Sequence, residues 1–215
     1  MRIFLSIILF LLTLFIFVYI ADEMVAENET HFDTQLVTVV NQHQSPAATH
    51  FFESVTFFGS SYFLLPAYIV LIIILLIKKR KKTALNIGIV GATSTAVLHL
   101  LKEIFKRTRP SDPLLAHVTG FSFPSGHSFS SFTFFALVIY LFCQMKISTL
   151  AKVAIGVFFF SCAALIAYSR VYLHVHYPSD VIAGFCLSVI WLLLAYYLLR
   201  KKKEYQPQNE LSKNI

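Results

Sequence analysis

The sequence predicts an all-α, polytopic membrane protein with six transmembrane helices and a further helical segment at one membrane interface. Hydrophobic residues make up 57% of the 215 residues and charged residues only 13%, whereas soluble domains carry about 25% charged residues. The apolar residues occur in six long blocks, with short basic runs between them. Because lipid offers the backbone no hydrogen-bond partner, such blocks are expected to cross the membrane as helices.

Each block is long enough, or nearly so, to cross about 30 Å of hydrocarbon at about 1.5 Å per residue. The predicted spans are 3–20, 61–77, 84–104, 126–145, 150–169 and 179–199. The first block exceeds the apolar core of a signal peptide, and Tyr19 stands where a cleavage site needs a small residue, so we expect an uncleaved helix. Residues 1–203 are expected to form one transmembrane domain, and 204–215 a disordered cytoplasmic tail.

The remaining composition indicates neither a nucleic-acid partner nor a cofactor. The net charge of +7 lies in loops and forms no basic face interleaved with aromatic residues, so nucleic acid is not an expected partner. The cysteines lie inside apolar blocks without metal-ligand spacing and are read as packing residues: Cys143, Cys162 and Cys186. The sequence does not indicate an oligomeric state.

The basic residues of alternate loops predict the orientation. They are Arg2; Lys78, Lys79, Arg80, Lys81 and Lys82; Lys146 and Lys152; and Arg200, Lys201, Lys202 and Lys203. By the positive-inside rule these loops and both termini are cytoplasmic. The segment between the first two spans has acidic residues but no Lys or Arg, and is expected outside.

The outer 102–125 loop departs from this bias, because it carries Lys102, Lys106, Arg107 and Arg109. Cations placed against the topological bias indicate an anion-binding site. The alternative is that the loop tolerates them because its neighbours dominate the orientation.

Segment 31–58 is neither a span nor a polar loop. Apolar residues repeat at helical spacing on both sides of Pro46, which predicts two short helices lying in the outer interface. Ordinary packing of these helices against the bundle is an equal alternative.

Three polar patches stand at span ends. They are Lys102 with Arg109-Pro110, Pro124-Ser125-Gly126-His127, and Ser169-Arg170 followed by His176 and Asp180. Because odd spans run outward and even spans inward, all three patches are expected on the outer membrane face, with the active site extracytoplasmic.

Each patch suits a phosphate group. A helix continued to Pro110 would place Lys102, Lys106 and Arg109 on one face, where a guanidinium forks onto two phosphate oxygens. Ser125 begins a helix whose N–H groups attract anions, and Gly126 lets a ligand approach the backbone closely.

The third patch adds a histidine–carboxylate pair. Asp180 follows His176 by four residues and can hold one imidazole nitrogen, which leaves the other free to attack. Arg170 provides a third strong cation; alone, it would be read equally well as a snorkelling anchor.

Together these motifs resemble the signature of the type-2 phosphatidic acid phosphatase family, shared with vanadium haloperoxidases and bacterial acid phosphatases. The compact six-span plan is most similar to bacterial phosphatidylglycerophosphate phosphatases of the B type. The resemblance implies that His176 forms a phosphohistidine, that Asp180 orients it, and that His127 acts as general acid and base. Phosphate would be bound by Lys102, Arg109, Ser125, Gly126 and Arg170, without a metal.

The expected substrate is a phospholipid or isoprenoid lipid phosphate drawn from the membrane. Phosphatidylglycerophosphate or phosphatidic acid comes first and undecaprenyl diphosphate second, since each presents a terminal phosphate. Other readings are a lipid-linked phosphotransferase, an anion transporter, and a metal site built from His127, His174, His176 and Asp180.

Three of the six other histidines are considered for a role in the site. His174 competes with His176 as nucleophile, although it lacks a carboxylate four residues on. His99 lies within a span, where a histidine has either a function or a satisfied packing role. His117 lies in the outer loop and is expected at most to line the entrance.

Overall fold

The computed structural model describes residues 2–27, 30–116 and 118–204. In these ranges the secondary structure is helical, without strands, as predicted. The helices are α1 (Arg2–Ala26), α2 (His31–Asn41), α3 (Pro46–Phe57), α4 (Ser61–Ile77), α5 (Lys81–Phe105), α6 (Gly126–Cys143), α7 (Thr149–Tyr172) and α8 (Pro178–Glu204).

Six segments of the described chain are long and apolar enough to cross a membrane, which agrees with the predicted architecture. α1, α5, α7 and α8 continue beyond the predicted blocks, whereas α6 ends at Cys143, two residues before the predicted end of its span. α8 ends at Glu204, so the first residue of the predicted tail is helical. The rest of that tail, 205–215, lies outside the described residues.

The centre of the bundle is formed by α6, α7 and α8. α1 packs along α8, while α4 packs along α5. Buried aromatic and small residues such as Phe129 and Ala183 fill the interior, and many large apolar side chains on the outer faces are exposed, such as Phe15 and Leu150. Such an apolar outer surface is stable when it faces lipid instead of water.

Both predicted short helices are present, and each has a clear start. Thr30 caps α2 by accepting a hydrogen bond from the Asp33 N–H, and Ser45 caps α3 in the same way, with Pro46 in the first turn. α3 packs against α7, and α2 packs against α7 and α8. Since α2 buries Asp33 and Val40, these helices are part of the bundle end and not only a surface layer.

Candidate active site

The three polar patches meet at one end of the bundle, which we call the site end. It is formed by the last turns of α5 and α7, the first turns of α6 and α8, and the loops that join them. Lys102 lies within electrostatic range of Arg109, Asp180 and Arg170. Residues far apart in sequence therefore share one small region, as the alternating span direction predicts.

His176 lies in a tight turn between α7 and α8. The N–H groups of Val175 and His176 both donate to the Arg170 carbonyl, at 3.1 and 3.2 Å. The turn is completed by His174, whose φ of 54° is left-handed. His176 is only 2% exposed, with Nδ1 3.4 Å from Asp180 Oδ2 and Nε2 3.3 Å from Arg109 Nη1.

The environment of His176 keeps its imidazole neutral. Burial lowers the pKa of His176 to about 3, although the hydrogen bond and charge of Asp180 raise it in part. Because Nδ1 faces the carboxylate, we assign the proton to Nδ1. Nε2 then keeps its lone pair at physiological pH, and this lone pair accepts a hydrogen bond from the Arg109 guanidinium at 3.3 Å.

Asp180 is completely buried, and both of its oxygens are engaged. Oδ1 accepts from Arg107 Nη1 at 2.7 Å, while Oδ2 accepts from the Tyr177 N–H at 2.9 Å and from the Ser122 hydroxyl. These donors fix the carboxylate in position. Because its carboxylate cannot rotate freely, Asp180 can hold the His176 ring in one orientation.

The loop after α5 differs from the prediction. α5 ends at Phe105, where Lys106 adopts a left-handed φ of 50°, so the prediction that Lys102, Lys106 and Arg109 share one helical face is wrong. Lys106 is exposed. The backbone reverses at Lys106 before Pro110 can end the helix.

Arg109 reaches the site from the loop. Its guanidinium donates to the carbonyls of Thr119, Gly120 and Phe121 and, at 2.6 Å, to the carbonyl of Val175. Lys102 Nζ donates to the Phe121 carbonyl at 2.5 Å. These carbonyls hold both cations at the site end without neutralising their charge, and Arg109 is the one that contacts His176.

Arg107, predicted as one of the cations of an anion-binding loop, has a different environment. It is 2% exposed and forms ion pairs with Asp180 and with Asp33 of α2, each at 2.7 Å. Two carboxylates already compensate its charge, so Arg107 belongs to the support of the site and not to its anion-binding cations.

The start of α6 supplies the second patch. Ser125 is the fully buried N-cap of α6, and its hydroxyl accepts from the Ser128 N–H at 3.4 Å. The first-turn N–H groups of Gly126 and His127 precede the intrahelical hydrogen bonds. A Cβ at Gly126 would lie 3.1 Å from Leu98 of α5, so this glycine also allows close packing between helices, beyond the predicted approach of a ligand.

His127 faces the same group of residues. It lies within electrostatic range of Arg170, His176, Arg109 and Lys102. Gly59, between α3 and α4, approaches the ring so closely that a Cβ there would be 2.9 Å from His127 Cδ2. The two imidazoles therefore lie in the same region of the site end, and His127 packs against a glycine that the sequence analysis did not single out.

Arg170 completes the cation cluster from α7. It is 5% exposed, and its Nη1 donates to Thr56 of α3 at 2.5 Å. Its buried Nε has no hydrogen-bond partner among the described residues. Buried polar groups are rarely left unpaired, and an anion beside His176 would provide the missing acceptor.

Four contributing residues were not predicted as parts of the site, namely Asp33, Thr56, Gly59 and Ser122, and a fifth, Arg107, was predicted only as an anion-binding cation. Each acts through a contact between distant segments, such as Ser122 with Asp180 and Thr56 with Arg170. Only Arg107 carried a signal, as a cation on a loop where cations are disfavoured.

The other histidines lie elsewhere. The ring of His174 contacts Asn41 at 2.6 Å and Gln44 at 2.9 Å, so it faces α2 and not the cations. His99 is on the exposed side of α5, and His117 lies outside the described residues. Within the described residues no three His, Cys, Asp or Glu side chains are grouped to hold a metal ion, so the alternative metal site is not assembled there.

Gly184 of α8 sets the contact with the start of α6, and its replacement is a direct test of the packing. A Cβ at this position would lie 2.8 Å from the Ser125 carbonyl oxygen and 2.9 Å from Ser128 Cβ. We expect Gly184→Ala to lower the free energy of unfolding by about 1–3 kcal/mol and to reduce activity, because α6 must shift. Thermal unfolding in detergent and an activity assay measure both effects.

Gly156→Ala is the matched control. Nothing lies within 4 Å of a Cβ at Gly156, so this variant should melt at or above the wild-type temperature. A Gly184→Ala protein that melts and works like wild type would contradict the close contact of α6 and α8.

Comparison with known proteins identifies the family. The family model described as PAP2 superfamily matches residues 82–204. Phosphatidylglycerophosphatase B of Bacillus subtilis is 30% identical over 157 residues, which cover 71% of this chain and 75% of that protein. Lipid A 4'-phosphatase of Bacteroides thetaiotaomicron is 29% identical over 185 residues, covering 79% and 77% respectively.

A solved structure extends the similarity to the whole fold. The crystal structure of a transmembrane PAP2 type phosphatidylglycerolphosphate phosphatase from Bacillus subtilis matches with a TM-score of 0.79 and 26% identity, covering 94% of this chain and 98% of that chain. The family resemblance inferred from the motifs is thereby confirmed. The chain belongs to the PAP2 superfamily and is a multi-pass membrane lipid phosphatase that hydrolyses phosphate monoesters.

Proposed function

We propose that this phosphatase removes the terminal phosphate of phosphatidylglycerophosphate or phosphatidic acid through a phosphohistidine at His176. The observation that carries the proposal is the position of His176, a neutral imidazole held between Asp180 at 3.4 Å and Arg109 at 3.3 Å. A buried, oriented ring beside a guanidinium favours attack on a phosphorus atom. Residues 1–203 would act as one domain.

In the first step Nε2 of His176 forms a bond to phosphorus while the phosphorus–oxygen bond to the lipid breaks. His127 donates a proton to the leaving alkoxide. The attacking ring becomes an imidazolium, which Asp180 stabilises through Nδ1. In the second step His127 takes a proton from water, the water oxygen attacks phosphorus, and phosphate leaves His176.

The oxygens of the transferred phosphoryl group would be bound by the cation cluster of Lys102, Arg109 and Arg170. The Gly126 N–H and Ser125 at the start of α6 would add hydrogen bonds and the positive end of the helix dipole. The unpartnered Nε of Arg170 supports this assignment, because a phosphate oxygen would satisfy it. These donors act where charge develops during transfer.

We also propose that the site end is extracytoplasmic and that both termini are cytoplasmic. α5 begins at the basic run around Lys81 and ends near Lys102 at the site, so that run lies at the opposite end of the bundle. Basic loops favour the cytoplasm. The test uses a cysteine at exposed Asp112 in a variant whose native Cys143, Cys162 and Cys186 are replaced by serine. An impermeant reagent applied to intact cells should label it, and protection from the reagent would overturn the orientation.

A substrate panel tests the choice of lipid. Purified protein is assayed for phosphate release from phosphatidylglycerophosphate, phosphatidic acid and undecaprenyl diphosphate in matched micelles. We expect the highest kcat/KM for one of the two glycerophospholipids. A higher value for undecaprenyl diphosphate would overturn that choice. Phosphate transfer that requires an added acceptor would instead indicate a phosphotransferase.

His127→Ala tests the division into two steps. With an aryl phosphate, whose leaving group needs no proton, the variant should still form the phosphohistidine but hydrolyse it about 10²-fold more slowly. Radiolabelled protein that is stable to base and labile to acid should then accumulate. If the variant turns over the aryl phosphate at the wild-type rate, His127 does not activate the water.

A further inference from the structure

A buried series of ion pairs joins α2 to Asp180. Arg107 Nη2 lies 2.7 Å from Asp33 Oδ2, and Arg107 Nη1 lies 2.7 Å from Asp180 Oδ1. None of these side chains has any solvent exposure. One guanidinium is therefore shared between two carboxylates, of which only Asp180 belongs to the family motifs described above.

The surroundings complete the hydrogen bonding of Asp33. The Ser179 N–H donates to Asp33 Oδ1 at 2.8 Å, and the Ser179 hydroxyl donates to Asp33 Oδ2 at 2.7 Å. Arg107 also lies 4.1 Å from the centre of the Tyr177 ring. A buried ion pair needs such complete partners to offset the loss of water. The arrangement ties α2 to the two residues, Tyr177 and Ser179, that flank the start of α8.

The charges of this series matter for the reaction. Two carboxylates and one guanidinium leave a net charge of −1 beside a neutral His176. When His176 bonds to phosphorus, its ring gains a positive charge, and the series then balances it. Without Asp33, Asp180 and Arg107 would neutralise each other, and the imidazolium would face no net negative charge.

We propose that Asp33 is a positioning residue for catalysis. It offsets part of the positive charge of Arg107, so that Asp180 keeps the net negative charge that stabilises a positively charged His176. The proposal rests on His176 being the nucleophile. It makes α2, which carries no family motif, part of the catalytic apparatus. A purely structural Asp33 predicts a less stable protein whose folded fraction has an unchanged kcat.

The test uses Asp33→Asn, which removes the charge and keeps the size. The substrate is the lipid that the wild type cleaves fastest, and kcat and KM are measured on folded, monodisperse protein. We expect kcat to fall at least about 10-fold with KM within about twofold. Asp22→Asn, at an exposed position of α1, is the matched control and should keep both constants within about twofold.

An unchanged kcat in folded Asp33→Asn, or a loss confined to KM, would overturn the proposal. If Asp33→Asn does not fold, Ser179→Ala decides the question, because the Ser179 hydroxyl both donates to Asp33 and accepts from Arg107 Nη1. Its loss weakens the link between these two residues and leaves the backbone N–H that donates to Asp33 in place. A kcat reduced about threefold or more at constant KM supports the proposal, and an unchanged kcat rejects it.

His176→Ala, assayed in parallel, separates the two levels of inference. Activity retained in His176→Ala would remove the proposed nucleophile itself. Activity lost in His176→Ala but unchanged in folded Asp33→Asn would reject only the role of Asp33.

Discussion

Replacement of His176 by alanine should abolish lipid phosphate release, with kcat reduced by about 10⁵-fold or more. The methyl group of alanine provides neither a lone pair to form the phosphorus–nitrogen bond nor an imidazolium for Asp180 to stabilise. The fold should survive, because the turn is held by backbone hydrogen bonds to the Arg170 carbonyl. Phosphate release under single-turnover conditions, with thermal unfolding measured on the same sample, checks both statements.

His99→Ala is the control for this experiment. It removes an imidazole from the exposed side of α5 and should retain activity within about twofold. His174→Ala serves a different purpose, because His174 was the competing nucleophile. Full activity in His176→Ala together with loss in His174→Ala would show that the wrong histidine has been assigned.

Asp180→Asn should lower kcat by about 10⁴-fold while KM changes little. An amide can present its NH₂ group to Nδ1, which would favour the tautomer with the proton on Nε2 and remove the attacking lone pair. The variant also loses the negative charge that stabilises the imidazolium. Steady-state kinetics with the preferred lipid, together with radiolabelling of the phosphohistidine, measures the effect.

Asp22→Asn is again the matched control. Asp180→Asn that retains kcat within about 10-fold would contradict the orienting role of the carboxylate. If the thermal melt shows that Asp180→Asn is unfolded, its loss of activity says nothing about the role of the carboxylate. Ser122→Ala is then the variant that tests this role. Ser122 donates to the same Asp180 oxygen that faces His176, so its loss should also lower kcat.

The membrane-spanning architecture could be predicted because apolar blocks and alternating basic loops are local signals. The blocks place helices, and their alternating direction brings His127, Arg170 and His176 to one end without any knowledge of packing. The ends of helices were less predictable. Lys106 reverses the backbone where a continued helix was expected, because a left-handed residue at a helix end has no strong signal when it is not glycine.

The support of the site could not be predicted for a different reason. Asp33 and Arg107 are 74 residues apart, and neither repeats at a periodic spacing that would mark a shared face. In the sequence, nothing distinguishes Asp33 from the other acidic residues of the outer segment. Similarly, the contacts of Thr56 with Arg170 and of Gly59 with His127 depend on how α3 packs in the folded protein, which the sequence pattern does not indicate.

The buried ion-pair series has a consequence for biogenesis. During synthesis Asp33 is made first, Arg107 follows 74 residues later, and Asp180 follows after a further 73. Until α8 has left the ribosome, Arg107 lacks the second of its two carboxylates, and Asp33 lacks the Ser179 donors that complete its hydrogen bonding. The chain is therefore expected to complete its folding in two stages, with α2 docking only after α8 has been inserted. Nascent chains that end before α8 should remain susceptible to quality-control proteases.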